Sequence, residues 1–292
     1  MYRRQFNKLI GAGSLLSMVP SRSLWELKKV GKIGIQLYTV RDAMAADPEG
    51  TLKTIAALGY DDVEVAGYEN GKYYGMAPKE FKMVLDDLGL TVKSGHTLTG
   101  AQDKSLVGTP LNQFEKYAAD AASIGQEYIV LAYLLDTERE NLDQYKGIAE
   151  LLNTCGATAA KHGVKMAYHN HDFEFMELDG KIPYDILLSE TDADLVDMEL
   201  DLYWIELAKK DTKKYFENHT GRFALWHVKD MDKTEERLFT EVGNGIIDFK
   251  DIFTCKKKAG MKHFYVEQDQ CKNHLPLESV KISIDYLQGM RY

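Results

Sequence analysis

Cysteine is scarce in this sequence. Its 292 residues include three cysteines, and no two of them have the spacing of a metal finger or of a redox motif. An odd and sparse set also argues against a disulfide framework. We therefore expect apolar packing to hold the fold together, and a hydrophobic content of 45% is sufficient for a large core.

Net positive charge and long apolar runs are lacking as well. The net charge is −9, and because an acidic surface repels phosphate backbones, nucleic acid is not expected as a partner. The apolar run at residues 9–19 is too short to span a bilayer, so we expect no stable membrane anchor. This run follows Arg3 and Arg4, and residues 1–23 resemble a twin-arginine export signal. We expect export to the periplasm, with a disordered basic tail as the alternative.

Glycine recurs before short apolar runs, and this repeat is the strongest structural signal in the sequence. The intervals are 30 to 39 residues, apart from one of 58, and the glycines are Gly59, Gly89, Gly125, Gly163, Gly221 and Gly260. Each is expected to end a helix in the left-handed conformation. Helix starts are predicted at four prolines, which are Pro48, Pro78, Pro110 and Pro183. Asp47 and Thr109 precede two of these prolines as N-caps.

The apolar runs predict eight strands. Six follow the glycines, and two more lie at residues 32–40 and 194–204. Because strands that alternate with helices form parallel sheets, we predict a (β/α)8 TIM barrel over residues 32–290. An open doubly wound sheet is the alternative. It normally has a glycine-rich phosphate loop after its first strand, and the segment TVRDAM at that place contains no glycine.

Polar and ionisable residues gather at the predicted carboxyl ends of the strands, where barrels of this kind carry their chemistry. In chain order these residues are Gln36, Tyr38, Glu64, His96, Tyr133, His169, His171, Glu199, Asp201, His227, Lys229, Glu267 and Asp269. Burying an ionisable group is unfavourable unless it is paired or bound to a metal. Convergence of so many strand ends on one mouth therefore predicts a functional site.

Four of these residues form a candidate metal site. His169, Asp201, His227 and Glu267 lie near the ends of four consecutive strands, so we predict that they bind one divalent cation. Imidazole and carboxylate ligands suit Mn, Co, Zn, Ni or Fe, and Mg is kept as a further possibility. His171 shares the strand face of His169, so the first ligand is left open between them. Lys229 is expected either to bind a substrate oxygen or to pair with an aspartate, Asp230 or Asp269.

The chain resembles the sugar phosphate isomerase/epimerase family of xylose isomerase-like barrels. The resemblance rests on VEVAGY, AYHNHDFEF, MELDLYW, HVKDM, EVGNGIIDF and VEQD. It implies one divalent metal held by Glu, Asp, His and Glu from the last four strands. Asp201, His227 and Glu267 match the last three of these ligands, whereas His169 stands where the family usually has glutamate.

The resemblance implies a metal-dependent isomerase or epimerase that acts on a keto-sugar through an enediolate. Glu267 would be the base, His169 or His171 would act from the other face, and Glu64 is a candidate to replace the missing carboxylate. His96 and Lys229 would bind hydroxyls or the developing oxyanion.

Tyr38 and Trp204 are candidates for substrate binding, and Trp226 is a second tryptophan able to stack on a sugar or pack against helices. A lyase or hydratase of a keto-sugar or inositol derivative would use the same intermediate and is the main alternative. A periplasmic sugar-binding barrel without activity is another. Both take a small sugar as partner, and a homo-oligomer stays open.

Overall fold

Eight parallel strands close into a barrel in the computed structural model, which describes residues 28–292. The strands are β1 (Gly34–Gln36), β2 (Asp62–Val65), β3 (Thr91–Thr97), β4 (Tyr128–Leu131), β5 (Lys165–His169), β6 (Val196–Asp201), β7 (Leu225–Val228) and β8 (His263–Val266). Each pairs with its neighbour in chain order, and β8 pairs with β1 to close the ring. The predicted (β/α)8 fold is confirmed, and each predicted apolar run contains one strand.

Helices surround the barrel. They are α1 (Arg41–Ala46), α2 (Pro48–Leu58), α3 (Pro78–Leu88), α4 (Phe114–Ile124), α5 (Leu142–Ala160), α6 (Pro183–Glu190), α7 (Leu202–Leu207), α8 (Thr212–Asn218), α9 (Phe249–Thr254), α10 (Lys256–Ala259) and α11 (Pro276–Gly289). Within residues 28–292, no helix is both long enough and apolar enough to cross a membrane. The export signal predicted at residues 1–23 lies outside the described residues.

The expected helix ends hold at Gly59, Gly89, Gly125 and Gly260. The helices α5 and α8 each end three residues before the predicted glycine, Gly163 or Gly221, and one predicted helix start fails. Gly59 follows α2 with a φ of +97°, and the carboxylate of Asp47 caps the first turn of α2 by accepting from the Gly50 backbone N–H. The helix start predicted at Pro110, with Thr109 as its N-cap, is wrong, because α4 begins four residues later. Pro110 instead occupies the second position of a turn closed by the hydrogen bond from Asn112 N to Thr109 O. Proline suits that position as well as a helix start.

Two apolar layers form the core. The larger one lies between strands and helices, where Trp226 is fully buried and stacks on Phe216 with ring centroids 5.0 Å apart. Trp226 is therefore a packing residue and takes no part in the mouth of the barrel. A smaller layer fills the barrel interior and consists of Tyr128, Val130, Ala167, Ala224, Leu225 and Tyr265. The interior is closed by these side chains, so a ligand can enter only at the mouth.

Two short hairpins extend the mouth of the barrel beyond the strands. One follows β2 and pairs Tyr68–Glu69 with Lys72–Tyr73, and the other follows β7 and pairs Asp230–Met231 with Phe239–Thr240. Above the strands lies a cavity of about 1180 Å³, which reaches from the first hairpin to the ends of β5 and β8. The strand-end residues therefore face an enclosed space large enough for a small ligand.

Candidate metal centre

The four side chains predicted to share a cation lie together, with His169 and Glu267 lining the cavity and Asp201 and His227 buried behind them. His169, Asp201, His227 and Glu267 each offer a ligand atom, and these atoms lie within 4.8 Å of one another. All four side chains are buried. We call them the outer tetrad, because they lie closer to the cavity than the carboxylates described below.

Local backbone geometry holds Asp201 in place. It ends β6 and is the N-cap of α7, so its Oδ1 accepts from the backbone N–H groups of Tyr203 and Trp204, each at 2.9 Å. Its own backbone N–H donates to Asn170 Oδ1 at 3.0 Å. Oδ2 is left facing the site, 3.3 Å from Nε2 of His169. One carboxylate thus caps a helix and offers its second oxygen to a cation.

His227 presents a nitrogen to each of two groups of carboxylates. Its Nδ1 lies 2.7 Å from Oε2 of Glu267, on the cavity side. Its Nε2 lies 2.6 Å from Oε2 of Glu64 and 3.2 Å from Oε2 of Glu199, on the side of the barrel interior. His96 Nε2 joins these two carboxylates at 3.4 and 2.7 Å. We call Glu64, His96, Glu199 and Nε2 of His227 the inner cluster.

The inner cluster changes the role expected for Glu64. This side chain is fully buried, accepts from Nε2 of Gln36 at 2.9 Å, and does not line the cavity. In this arrangement Glu64 has no direct access to a substrate, so the catalytic role predicted for it stays a prediction. His96, in contrast, lines the cavity wall and stays a candidate for substrate binding.

Lys229 is buried among three carboxylates. Its Nζ lies 2.6 Å from Oε2 of Glu267, 2.9 Å from Oδ1 of Asp269 and 3.1 Å from Oδ2 of Asp201. Of the two aspartates considered as partners, the structure selects Asp269. The side chain of Asp230 turns away and accepts from backbone N–H groups of the following loop. An ammonium group therefore already lies beside two carboxylates of the outer tetrad.

Burial and neighbouring charge set the protonation of the site. Burial raises the pKa of Glu267, but the charges of Lys229 and His227 outweigh burial and hold this pKa well below its usual range. Burial, together with the charge of His227, holds the pKa of His169 well below its usual range. Burial and the charge of Lys229 lower the pKa of His171 to about 3. At neutral pH the site thus offers an ionised Glu267 and neutral His169 and His171. Burial alone would lower the pKa of His227, but the charges of Glu199 and Glu267 outweigh burial and raise this pKa well above its usual range, so His227 must release a proton before it binds a divalent metal.

The donor set of the outer tetrad fits a divalent transition metal. Two imidazoles and two carboxylates are ligands typical of Zn, Mn, Co and Fe sites, and a hard cation such as Ca would prefer oxygen alone. The buried ammonium of Lys229 beside Asp201 and Glu267 also shows that this place accommodates positive charge. The residues present therefore suit a divalent metal and leave its identity open.

Aromatic side chains frame the site on the side of β5. The ring of His171 lies parallel to Phe173, with centroids 5.4 Å apart, and 5.2 Å from the ring of Trp204. The backbone N–H of His171 donates to Oε2 of the buried Glu174 at 2.8 Å. Tyr38 stands on the opposite side of the mouth and is 45% exposed. His171 and Tyr38 thus line the entrance, and Trp204 packs beside His171.

Asp230 is a structural residue of the site that sequence reasoning missed. Its two carboxylate oxygens accept from the backbone N–H groups of Met231, Gly243, Gly245 and Ile247. A Cβ at Gly245 would lie 2.2 Å from Oδ1 of Asp230, so only glycine fits there. The segments HVKDM and EVGNG, which support the family resemblance, contain Asp230 and three of the residues that bind it, and were the available signal. Asp230 fixes the loop after β7 and with it the chain next to Lys229.

Comparison with known proteins gives a match over most of the chain. Residues 52–288 match the family model described as xylose isomerase-like TIM barrel. An inosose dehydratase from Salmonella typhimurium is 25% identical over 293 residues, which cover 87% of this chain and 94% of that protein. An inosose dehydratase from Lactiplantibacillus plantarum is 28% identical over 164 residues, which cover 50% of this chain and only about half, 54%, of that protein.

Solved structures share the same architecture. A sugar phosphate isomerase/epimerase from Parabacteroides distasonis has a TM-score of 0.75 and 29% identity, and the match covers 88% of this chain and 93% of that one. A zinc-bound IolI protein has a TM-score of 0.69 over 87% of this chain and 95% of that one. Its 14% identity supports likeness of fold alone.

Proposed function

Because this chain belongs to the xylose isomerase-like TIM barrel family, we propose that it is a divalent-metal-dependent lyase or dehydratase of a keto-sugar or keto-polyol. The enzyme removes the proton next to the carbonyl group and then expels an oxygen substituent from the next carbon. The observation that carries the proposal is the outer tetrad, which gathers two imidazoles and two carboxylates beside the cavity. When bound there, a divalent ion supplies Lewis-acid stabilisation for the negative charge that develops on the carbonyl oxygen.

Glu267 is the proposed base. Its contacts with His227 and Lys229 both use Oε2, which leaves Oε1 to accept the substrate proton. Lys229 holds this carboxylate ionised and in place. All three N–H groups of the ammonium face carboxylates, so a hydrogen bond to the developing oxyanion would replace one of these contacts.

His171 is the proposed partner of the leaving oxygen. It follows β5, and Glu267 follows β8, so the two side chains reach the cavity from nearly opposite sides of an eight-stranded ring. A neutral imidazole presents one N–H and polarises the C–O bond as it breaks. The electron pair of the broken C–H bond forms the new C=C bond as the C–O bond breaks. The proton taken up by Glu267 passes to the departing oxygen, which leaves as water or as an alcohol.

The distribution of carboxylates favours elimination over epimerisation. Inversion at carbon by two bases needs a proton carrier on each face of the substrate. At the floor of the cavity, Glu267 and Asp269 come from the same strand end, and the side formed by β5 offers His169 and His171. The inosose dehydratases among the relatives support the same choice. We therefore propose elimination ahead of isomerisation, which the sequence alone favoured.

Isomerisation or epimerisation is the second candidate, supported by the Parabacteroides distasonis structure. Product analysis separates the two. The chain is loaded with Mn²⁺, Co²⁺ or Zn²⁺ and incubated in D₂O with a panel of keto-hexoses and ketoinositols. We expect deuterium uptake next to the carbonyl, loss of water or of an alcohol, and abolition of both by a chelator.

Two outcomes would contradict the lyase proposal. An isomer formed without elimination selects the second candidate. No uptake on any substrate, with metal bound, contradicts both enzymatic proposals and favours a sugar-binding barrel without activity.

We also propose that residues 1–23 direct the chain to the periplasm. The support is the pair Arg3 and Arg4 before a short apolar run. Replacing both arginines by lysine should retain the protein in the cytoplasm, which cell fractionation measures. Export would favour a substrate without phosphate, since sugar phosphates are scarce outside the cytoplasm.

A further inference from the structure

We propose that the barrel contains a second divalent-cation position, below the first, in the inner cluster of Glu64, His96, Glu199 and Nε2 of His227. The proposed function needs the outer tetrad alone, so this position goes beyond it. Ring nitrogens of His96, His169 and His227 and a carboxylate oxygen of Glu199 lie within 4.8 Å of one another.

The inner cluster has the size of a coordination sphere. Its nitrogen-to-oxygen distances run from 2.6 Å, between His227 Nε2 and Glu64 Oε2, to 3.4 Å, between His96 Nε2 and Glu64 Oε2. Tetrahedral zinc with bonds of about 2.0–2.1 Å separates its ligand atoms by roughly 3.3 Å. To hold a cation, the closest nitrogen–oxygen pair would need to separate by about 0.7 Å and the other pairs by less.

Charge requires a positive partner in this cluster. Glu64 and Glu199 are fully buried, and both approach the same two imidazoles. Two adjacent carboxylates without water cannot both ionise unless a cation compensates them. The compensation comes either from protons on His96 and His227 or from a divalent ion.

Unpartnered oxygens favour the ion. Among the described residues, Oε1 of Glu64 and Oε1 of Glu199 are buried and have no hydrogen-bond partner. A proton network uses the Oε2 atoms and leaves both Oε1 atoms unsatisfied, which costs about 1–3 kcal/mol each. A carboxylate that binds a metal through both oxygens uses Oε1 as well.

His227 links the two positions. Its Nδ1 faces the outer tetrad and its Nε2 faces the inner cluster, so this ring would bridge two ions after losing both nitrogen protons. His169 also lies within reach of both groups, but the carboxylates are separate. Asp201 and Glu267 belong to the outer position alone, and Glu64 and Glu199 belong to the inner one. Substitution can therefore remove either position by itself.

Metal content tests the proposal without any substrate. The full chain is stripped with chelator, reloaded with Co²⁺ alone, freed of excess metal and analysed for cobalt per chain. We expect two ions in the wild type, one in Glu199→Gln and one in the matched variant Asp201→Asn. Two ions bridged by His227 should also show magnetic coupling that disappears in both variants.

Two results would overturn the second position. One is a single ion in the wild type that Glu199→Gln retains and Asp201→Asn loses, which would leave the proposed function intact. The other is a pair of ions without magnetic coupling, since the second ion would then lie elsewhere. Should Glu199→Gln fail to fold, judged by circular dichroism, Glu64→Gln provides the same test.

Discussion

The two ends of this barrel both bury carboxylates, but they satisfy them differently. At the amino ends of the strands, Thr91 and Tyr265 donate to the two oxygens of Asp62 at 2.8 and 3.2 Å. Asp197 there accepts from the hydroxyl of Tyr128 at 3.1 Å and pairs with Lys165 at 3.2 Å.

At the mouth, carboxylates face imidazoles and each other. Within residues 28–292, the buried carboxylate oxygens that lack a hydrogen-bond partner belong to Glu64 and Glu199, both at the mouth. Burial of charge alone therefore does not mark the functional end. The distinguishing feature is the free oxygen. At the amino end, hydroxyl and ammonium groups satisfy both oxygens of each carboxylate, whereas at the mouth some lone pairs stay available to a cation even though Lys229 pairs with three carboxylates.

The largest expected effect comes from exchanging one carboxylate for an amide at each end. Glu267→Gln removes the proposed base, so we expect the turnover rate to fall by roughly 10²–10⁴-fold. Its melting temperature should fall as well, because Lys229 and His227 lose a charged partner in the folded state. Asp197→Asn is the matched change, and we expect unaltered turnover and a loss of about 1–3 kcal/mol of unfolding free energy. A fall in turnover of the same size in Asp197→Asn would remove the distinction between the ends.

The amino end should show its own dependence on pH. Burial raises the pKa of Asp62 to about 6, although hydrogen bonds from Thr91 and Tyr265 oppose the shift. The folded state then holds this proton more tightly than the unfolded state, so stability falls as pH rises from about 4 to about 6. Asp62→Asn should abolish this fall, worth at most about 3 kcal/mol. Urea unfolding at both limits measures it, and parallel curves for wild type and variant would refute the assignment.

Lysine provides the next comparison between the ends. Because the ammonium of Lys229 contacts Asp201 and Glu267, it competes with a metal for the same oxygens. We expect Lys229→Met to tighten metal binding about tenfold, or about 1.4 kcal/mol, as measured by chelator competition. Lys165→Met, which removes the partner of Asp197 at the other end, should leave metal affinity unchanged. Weaker binding in Lys229→Met would mean that the lysine organises the ligands rather than competing for them.

Much of this architecture is readable in the sequence, because its signals are local. Glycine before an apolar run reports the end of a helix, and a polar residue at the end of that run reports the mouth. The first rule predicted six of the eight strands, and the apolar runs at residues 32–40 and 194–204 supplied the other two. The second rule selected His169, Asp201, His227 and Glu267, which the structure brings within 4.8 Å of one another.

The depth of each strand-end residue within the mouth could not be predicted from the sequence, because it depends on the stagger between neighbouring strands. The register pairs His169 with Glu199 and Asp201 with His227, so residues at equal distance from their strand ends lie at different levels. Alternation along one strand cannot show this stagger. For the same reason the sequence did not place Glu64 beneath the cavity. The choice of Lys229 between Asp230 and Asp269 depends on the loop after β7, because the backbone N–H groups of this loop bind the carboxylate of Asp230.

Two tryptophans offer the smallest and sharpest comparison. Trp204 lies beside His171 at the entrance, whereas Trp226 stacks on Phe216 between barrel and helices. Trp204→Phe keeps an aromatic ring but reduces its contact area, so we expect a KM increase of a few fold, about 0.5–1.5 kcal/mol, with kcat nearly unchanged. Trp226→Phe should leave KM unchanged and lower the melting temperature. If Trp204→Phe, like Trp226→Phe, lowered the melting temperature and left KM unchanged, both rings would be packing residues. Substrate contact would then have to come from the side of Tyr38.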